Sequence, residues 1–442
     1  MQKRVLFFLL LVTIYIISFN HIYASDISEE LTLYCENDIA VDAETGTILF
    51  AKNENEKLYP ASTTKILTAI LAIENLNLED NVIVSRNAVY STPIGSSVMG
   101  VKPGEIFTVE ELLYGLLLPS GNDVALVLAE EICGNVNDFV NLMNEKASKI
   151  GCTNTHFANP HGFHDDNHYT TAVDMMKIFE YCFKNETFRK IISTKSYDIA
   201  STNKRETPIH LENTAKICDP NSISYYEYVV GGKTGYTEEA RGTFIGYAKK
   251  DNKTIFIGCF NGSQNINRNQ ARYMDAKEIL EYCFNNSKYD IIANRDNYKF
   301  KIYDENSRKY YTVGLSDDIY TTIINENYPN IKYNTNIDFN KLKSIKNTIE
   351  NGESVSDMSV GNITMTYNDN FKKDYTLSLL EINDYPFNSF TKENKYLLII
   401  IILLVLLIIL NIKYISNKKK FKNKYDRKKL HRKRINEDLY KL

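Results

Sequence analysis

Hairpin-like segments stand at both ends of residues 39–284, and helical segments fill most of the interval between them; this order constrains the fold more than any single motif. Residues 39–52, IAVDAETGTILFAK, read as two short strands about a turn at Glu44-Thr45-Gly46. Residues 243–248 and 254–260 flank the turn Lys250-Asp251-Asn252 as a second hairpin, and residues 270–284 close with a helix. Between them, a helix begins at residue 62 and runs to about 76. Another starts at Thr108, where Thr-Val-Glu-Glu makes a capping box with Glu111, and ends at Pro119. Further helices are expected over residues 122–131, stopped by Gly134, over 137–150, stopped by Gly151, and from near Thr171. Strands early, helices in the middle, then strands and a last helix imply an α+β domain, an antiparallel sheet with helices packed on it. Residues 289–384 change texture to short alternating segments (YKFKIYD, KYYTVGL, DIYTTII, NITMTYN, YTLSLLE) separated by Asn, Asp, Ser and Gly. That pattern predicts a small all-β sandwich over 289–385.

The two ends of the chain indicate where it resides. Lys3 and Arg4 precede an apolar stretch over residues 5–17, then Ile22-Tyr23-Ala24-Ser25, the layout of a secretory signal peptide (residues 1–24) cut after Ala24. An uncleaved N-terminal anchor is the alternative, and either one exports the body. Residues 396–412 are apolar on every face apart from Asn411, close to the minimum for a bilayer core of about 30 Å. Residues 413–442 carry thirteen Lys and Arg against three acids, a net of +10, so residues 1–412 must sum to −13 for the total of −3. The positive-inside rule then places that basic tail in the cytoplasm and the body outside, a single-pass cell-membrane protein held by a transmembrane helix at 396–412. Contact with anionic lipid suits the tail better than nucleic-acid binding. The seven cysteines show no CxxC spacing and fall largely inside apolar patterns, so most read as small core residues.

Ser62-Thr63-Thr64-Lys65 places a serine and a lysine three apart at a helix start, where both share one face. Ser-x-x-Lys occurs four times, at Ser62, Ser201, Ser389 and Ser416, but only Ser62 stands at a helix N-terminus; the others lie in a polar loop, a linker and the tail. A serine hydroxyl needs a neighbouring base, and a lysine serves only if burial or a second cation lowers its pKa. Ser120-Gly121-Asn122, in a loop between helices, and Lys233-Thr234-Gly235 supply a polar relay and that cation. A phosphate loop would need glycine at 227, where Glu227 stands, and a following helix instead of a strand.

These three motifs, in this order, resemble those of penicillin-binding proteins and serine β-lactamases. YPASTTKILTA, LLLPSGNDVALVLAE, NPHGFHDDNHYTTA and GGKTGYT are most similar to the low-molecular-mass D-alanyl-D-alanine carboxypeptidases, and IENGESVSDMSVGNITM to that family's C-terminal domain. The resemblance spans about residues 30–385 and implies a catalytic domain over 25–286. It implies that Ser62 attacks the carbonyl between two terminal D-alanines of a peptidoglycan stem peptide, with Lys65 as base and Ser120 bridging Lys65 to Lys233. Asn122 would bind the substrate backbone, and Lys233 and Thr234 its carboxylate. The N–H groups of Ser62 and Tyr236 would form the oxyanion hole, with Gly235 leaving room for substrate. Penicillins become covalent inhibitors, and no cofactor is implied. Arg241 is either a further carboxylate contact or a surface residue. His161, His164, Asp165, Asp166 and His168 are dense enough to suggest a metal, but they coincide with a family segment that binds none. Endopeptidase action on cross-links and β-lactamase-like hydrolysis remain open, as does a non-catalytic wall-binding receptor. Against rapid antibiotic hydrolysis, the second motif is Ser-Gly-Asn instead of Ser-Asp-Asn, and no Glu-x-x-x-Asn element lies between Gly151 and Tyr181.

Overall fold

The computed structural model of the chain describes residues 31–263, 270–304, 309–324, 327–352, 355 and 358–384. The signal segment, the apolar stretch at 396–412 and the basic tail lie outside the described residues; no described helix is long and apolar enough to cross a membrane.

The N-terminal hairpin is β1 (Cys35–Asp42) and β2 (Ile48–Lys52). Then come helices α1 (Lys65–Asn75), α2 (Arg86–Tyr90), α3 (Val109–Leu117), α4 (Asn122–Cys133), α5 (Val136–Ile150), α6 (Ala172–Phe183) and α7 (Glu186–Ile192). Two ribbons interrupt them, β3 (Asn81–Ile83) with β4 (Ile106–Thr108), and β5 (Ser196–Ile199) with β6 (Ile209–Glu212). Strands β7 (Val229–Thr237), β8 (Arg241–Lys250) and β9 (Lys253–Gly262) form an antiparallel meander, followed by α8 (Ala271–Asn286). β1 lies antiparallel against β9, so the two hairpins join in one sheet of order β2-β1-β9-β8-β7.

Local chemistry sets the helix ends. Thr108 accepts from the Glu111 N–H at 3.2 Å while the Glu111 carboxylate accepts from the Thr108 N–H at 2.9 Å, the expected reciprocal cap. Gly134 and Gly151 end α4 and α5 in the left-handed conformation. The sheet is covered on both faces. Ile245, Tyr247, Phe256 and Phe260 pack with the helices of the middle segment, and their neighbours Phe244, Ala248, Ile255 and Ile257 pack with Ala276, Ile279 and Leu280 of α8. Helix α1 is enclosed on all sides along most of its length, with every residue from Lys65 to Ala72 buried, which is why its apolar run shows no clean stripe.

By proximity the chain divides into two compact units, Met1–Lys299 with Gly314–Ser378, and Phe300–Val313 with Leu379–Leu442. Within the first, β10 (Ser287–Ala293) pairs with a later strand, Ile319–Ile324, and three strands, Ile331–Ile337, Ser359–Tyr367 and Phe371–Asp384, pair in that order up to Ser378. The all-β expectation for 289–385 is corrected here: Phe339–Glu350 is an α-helix, capped by the Asp338 side chain accepting from the Asn340 and Lys341 N–H groups. Leu342 and Ile345 are its buried side. The second unit carries Lys299–Asp304 from Phe300 onward and the start of Lys309–Leu315, a pair of adjacent strands.

Candidate active site

Ser62 does not stand in the first turn of an α-helix as expected but in a 3-10 turn, Ala61–Thr64, directly ahead of α1. The turn sorts its three hydroxyls. Thr63 Oγ1 donates to the Pro60 carbonyl at 2.7 Å and Thr64 Oγ1 to the Ala61 carbonyl at 2.8 Å, both buried. Ser62 is left facing the cleft. Ala61 sits at φ +47°, a conformation that costs an alanine about 1–2 kcal/mol and is held by its surroundings. His168 Nδ1 accepts from the Ala158 N–H at 3.0 Å, so its proton is on Nε2, which donates to Thr64 Oγ1 at 2.8 Å. Gly162, at φ +82°, passes so close that a Cβ there would lie 1.8 Å from the Ala61 oxygen.

Lys65 lies one turn beneath Ser62, fully buried, and its Nζ donates to three acceptors. These are Ser62 Oγ at 2.9 Å, Asn122 Oδ1 at 2.6 Å and the His161 carbonyl at 2.6 Å. Burial, and next the Lys233 cation, hold Lys65 well below the ordinary lysine value, against a smaller pull from Asp123. Burial and then Arg272 push Lys233 down to about 7. A lysine held well below its ordinary value can be a base in its free form, and Ser62 Oγ is within reach of Lys65.

The other expected residues converge on the same place. Ser62, Ser120, Asn122, Thr234, Gly235 and Tyr236 line one cleft of about 750 Å³, with Lys65 and Lys233 buried behind its wall. The expected Ser120 bridge between the two lysines is not formed. Among the described residues its buried Oγ has no hydrogen-bond partner, and Ser120 stands at φ +68° in the turn before α4. The lysines are engaged elsewhere: Lys65 as above, and Lys233 Nζ with the Thr234 carbonyl at 3.0 Å. Gly235 has a packing role as well as its place on the cleft wall. A Cβ there would meet Thr243 Oγ1 at 2.5 Å and the Ser62 nitrogen at 2.8 Å, so glycine lets β7 run against the nucleophile's own turn. Thr234 Oγ1 pairs with Thr214 Oγ1 at 2.8 Å.

Three contributors carry no sequence signal of their own. Arg272, in the first turn of α8, donates to the Gly235 carbonyl at 2.8 Å and lines the cleft. Arg241 is instead turned to Glu36 at 2.8 Å and stays outside that wall. Asp123 accepts from the N–H groups of Met99 (3.0 Å), Gly100 (2.7 Å) and Val101 (3.1 Å). It thereby ties the loop bearing Ser96 and Ser97, on the cleft rim, to the Ser120-Asn122 turn. In the histidine-rich segment, burial holds His161 and His168 neutral, at about 3, and both ring Nδ1 atoms accept from backbone N–H groups. What that segment gives the site is the His161 carbonyl.

Comparison with known proteins agrees with this geometry. Residues 25–264 match the D-alanyl-D-alanine carboxypeptidase family, a peptidase family of class S11. The chain is 34% identical over 269 residues to D-alanyl-D-alanine carboxypeptidase DacF of Bacillus subtilis, covering 60% of this chain and 65% of that one. It is 34% identical over 268 residues to the D-alanyl-D-alanine carboxypeptidase of Streptomyces sp. K15, covering 57% and 88%. The solved Streptomyces K15 DD-transpeptidase superposes with a TM-score of 0.53 at 30% identity, over 58% of this chain and 98% of that one. A D-alanyl-D-alanine carboxypeptidase from Francisella tularensis shares the fold at 23% identity, with a TM-score of 0.56 over 80% of this chain and 94% of that one. A buried lysine within reach of a cleft-facing serine, on a chain matched to this family over residues 25–264, places the protein in the D-alanyl-D-alanine carboxypeptidase family of serine peptidases.

Proposed function

We propose that the protein removes the terminal D-alanine from peptidoglycan stem pentapeptides through an acyl-enzyme on Ser62. The observation that carries this reading is the 2.9 Å contact between Ser62 Oγ and a Lys65 amine whose pKa is driven down by burial and by Lys233. In its neutral form Lys65 takes the Ser62 proton as Oγ adds to the scissile carbonyl. Asn122 turns Oδ1 to the Lys65 donor, which leaves its Nδ2 as the end for the substrate backbone. Ser120 Oγ, on the cleft wall with its bonding capacity unspent, passes the proton to the departing D-alanine amine. Lys233, Thr234 and Arg272 gather cationic and hydroxyl donors at one end of the cleft, where a free carboxylate would be held. The N–H groups of Ser62 and Tyr236 stabilise the oxyanion.

The same reading makes the chain an anchored, exported enzyme. The signal segment, the apolar residues 396–412 and the basic tail support a body held outside the membrane by a C-terminal helix. The strand-rich segment 289–385 would then act as the spacer between the catalytic domain and the bilayer.

The test is D-alanine release from a pentapeptide ending in D-Ala-D-Ala, with wild type beside Ser62→Ala, and intact mass after penicillin. Release and a penicillin adduct in wild type, both absent in Ser62→Ala, are expected. An adduct without release would point to cross-linked substrates or to a wall-binding receptor.

A further inference from the structure

Between β1 and α8, away from the residues that line the cleft, lies a second cluster of fully buried ionisable groups. The Cys35 thiol, one carboxylate oxygen of Asp38 and one of Asp275 all lie within 4.8 Å of one another. The three residues are exposed by 1%, 0% and 0%. Cys259 stands directly opposite Asp38 across β1 and β9, and opposed residues on one face hold their Cβ atoms about 5 Å apart, so a second thiol borders the same space.

The two carboxylates are treated differently by the fold. Asp275 is fixed in place: it accepts from the Tyr34 N–H at 2.8 Å and the Cys35 N–H at 2.6 Å. Asp38 is held by no backbone N–H and no cation: neither of its oxygens has a well-formed hydrogen bond among the described residues, and the weak donor that faces it is the Cys259 thiol. The nearby cation, Lys52, gives its Nζ to the Cys35 carbonyl at 2.6 Å. A dry, unpartnered carboxylate is costly unless something neutralises it. Burial and Asp275 accordingly raise the proton affinity of Asp38.

We propose that Cys35, Asp38 and Asp275, completed by Cys259, bind one divalent cation of the zinc class. Calcium and magnesium are excluded by the donor set, because they take about six or more oxygen ligands and two of these four ligands are sulfur. Thiolate and carboxylate donors in a set of four suit a tetrahedral, borderline-soft ion. The site is closed, with four protein ligands and no exposed position, so the ion is structural. It would join β1, β9 and α8, and Asp275 lies one turn beyond Arg272, the α8 residue that reaches the cleft. Both thiol protons, and any carboxyl proton of Asp38, are released to solvent as the thiolates and carboxylates bind the ion; no electron is transferred. The backbone N–H groups on Asp275 orient that ligand from outside the coordination shell.

The experiment uses the full chain in detergent, refolded with cobalt(II) and then dialysed. Cobalt stands in for zinc because a thiolate ligand gives it a near-ultraviolet charge-transfer band. The expected result is one retained ion per chain with that band, and a fall of at least about tenfold in retained metal in Cys35→Ser and in Asp38→Asn. Covalent labelling by penicillin at Ser62 shows that each variant is folded, and a variant that is not labelled is replaced by Asp38→Ala. No retained ion in wild type, retained ion without the thiolate band, or equal loading of labelled variants would each overturn the site. The outcome is independent of the proposed substrate.

Discussion

The molecule buries two charged clusters and handles them in opposite ways. Around Lys65 the cation is surrounded by acceptors: a serine hydroxyl, an asparagine oxygen and a backbone carbonyl, all within 2.9 Å. Around Asp38, among the described residues, neither carboxylate oxygen has a well-formed hydrogen bond, and the donor that faces it is the weak Cys259 thiol. Both are fully buried, and burial is the largest influence on each, lowering the lysine and raising the acid. The difference shows what each cluster is arranged for. Fixed acceptors aim one amine at one hydroxyl, which a base requires. A carboxylate faced only by two thiols has most of its lone pairs available for a ligand. Burial alone therefore does not mark a catalytic group; the direction its hydrogen bonds impose does.

The comparison can be broken most severely at Lys65. Lys65→Arg keeps the cation and loses the base, and acylation by penicillin should fall by about three orders of magnitude; near-normal acylation would remove Lys65 from the chemistry. Next is Gly162→Ala, which forces a Cβ to within 1.8 Å of the Ala61 oxygen at φ +82°. It should lower unfolding stability by about 3 kcal/mol in denaturant melts and slow acylation by displacing the Ser62 turn. Lys233→Gln should act through charge. Removing a cation near Lys65 favours its protonated form, raises its pKa and moves the rising limb of acylation to higher pH. The smallest effect belongs to the other cluster. In chelator, Asp38→Asn should change stability by no more than about 1 kcal/mol, with a gain as acceptable as no change. A loss of several kcal/mol would mean that the carboxylate has a partner after all.

Much of this was legible in the sequence, for reasons that are local. The Thr108-Glu111 capping box, the glycines ending α4 and α5, and the hairpin about residues 250–252 are short-range chemistry that the chain carries openly. The three motifs were legible as residue types, and the fold brings Ser62, Ser120, Asn122, Thr234, Gly235 and Tyr236 to one cleft. What was not legible depends on contacts across long stretches of chain. Nothing near residue 272 announces that Arg272 will reach the Gly235 carbonyl. The His161 acceptor is a backbone atom, so the dense imidazoles of its segment drew attention to the wrong groups. Ser120 was expected between the lysines, yet three other acceptors claim Lys65. Asp38 reads as an ordinary polar residue in a strand until β9 and α8 close over it. The helix Phe339–Glu350 is a different failure: Leu342, Ile345 and Ile349 repeat at helical spacing, and the surrounding strand pattern outweighed that signal.

The pH dependence of Ser62 acylation by penicillin in the wild-type chain tests the central claim most directly. A neutral Lys65 must take the serine proton, so the rate should rise with pH through the depressed Lys65 value. It should then decline as Lys233, proposed to hold the ligand carboxylate, loses its charge near about 7. A rate that climbs only as pH approaches the ordinary lysine range would contradict a depressed Lys65, and a flat profile would contradict its role as the base.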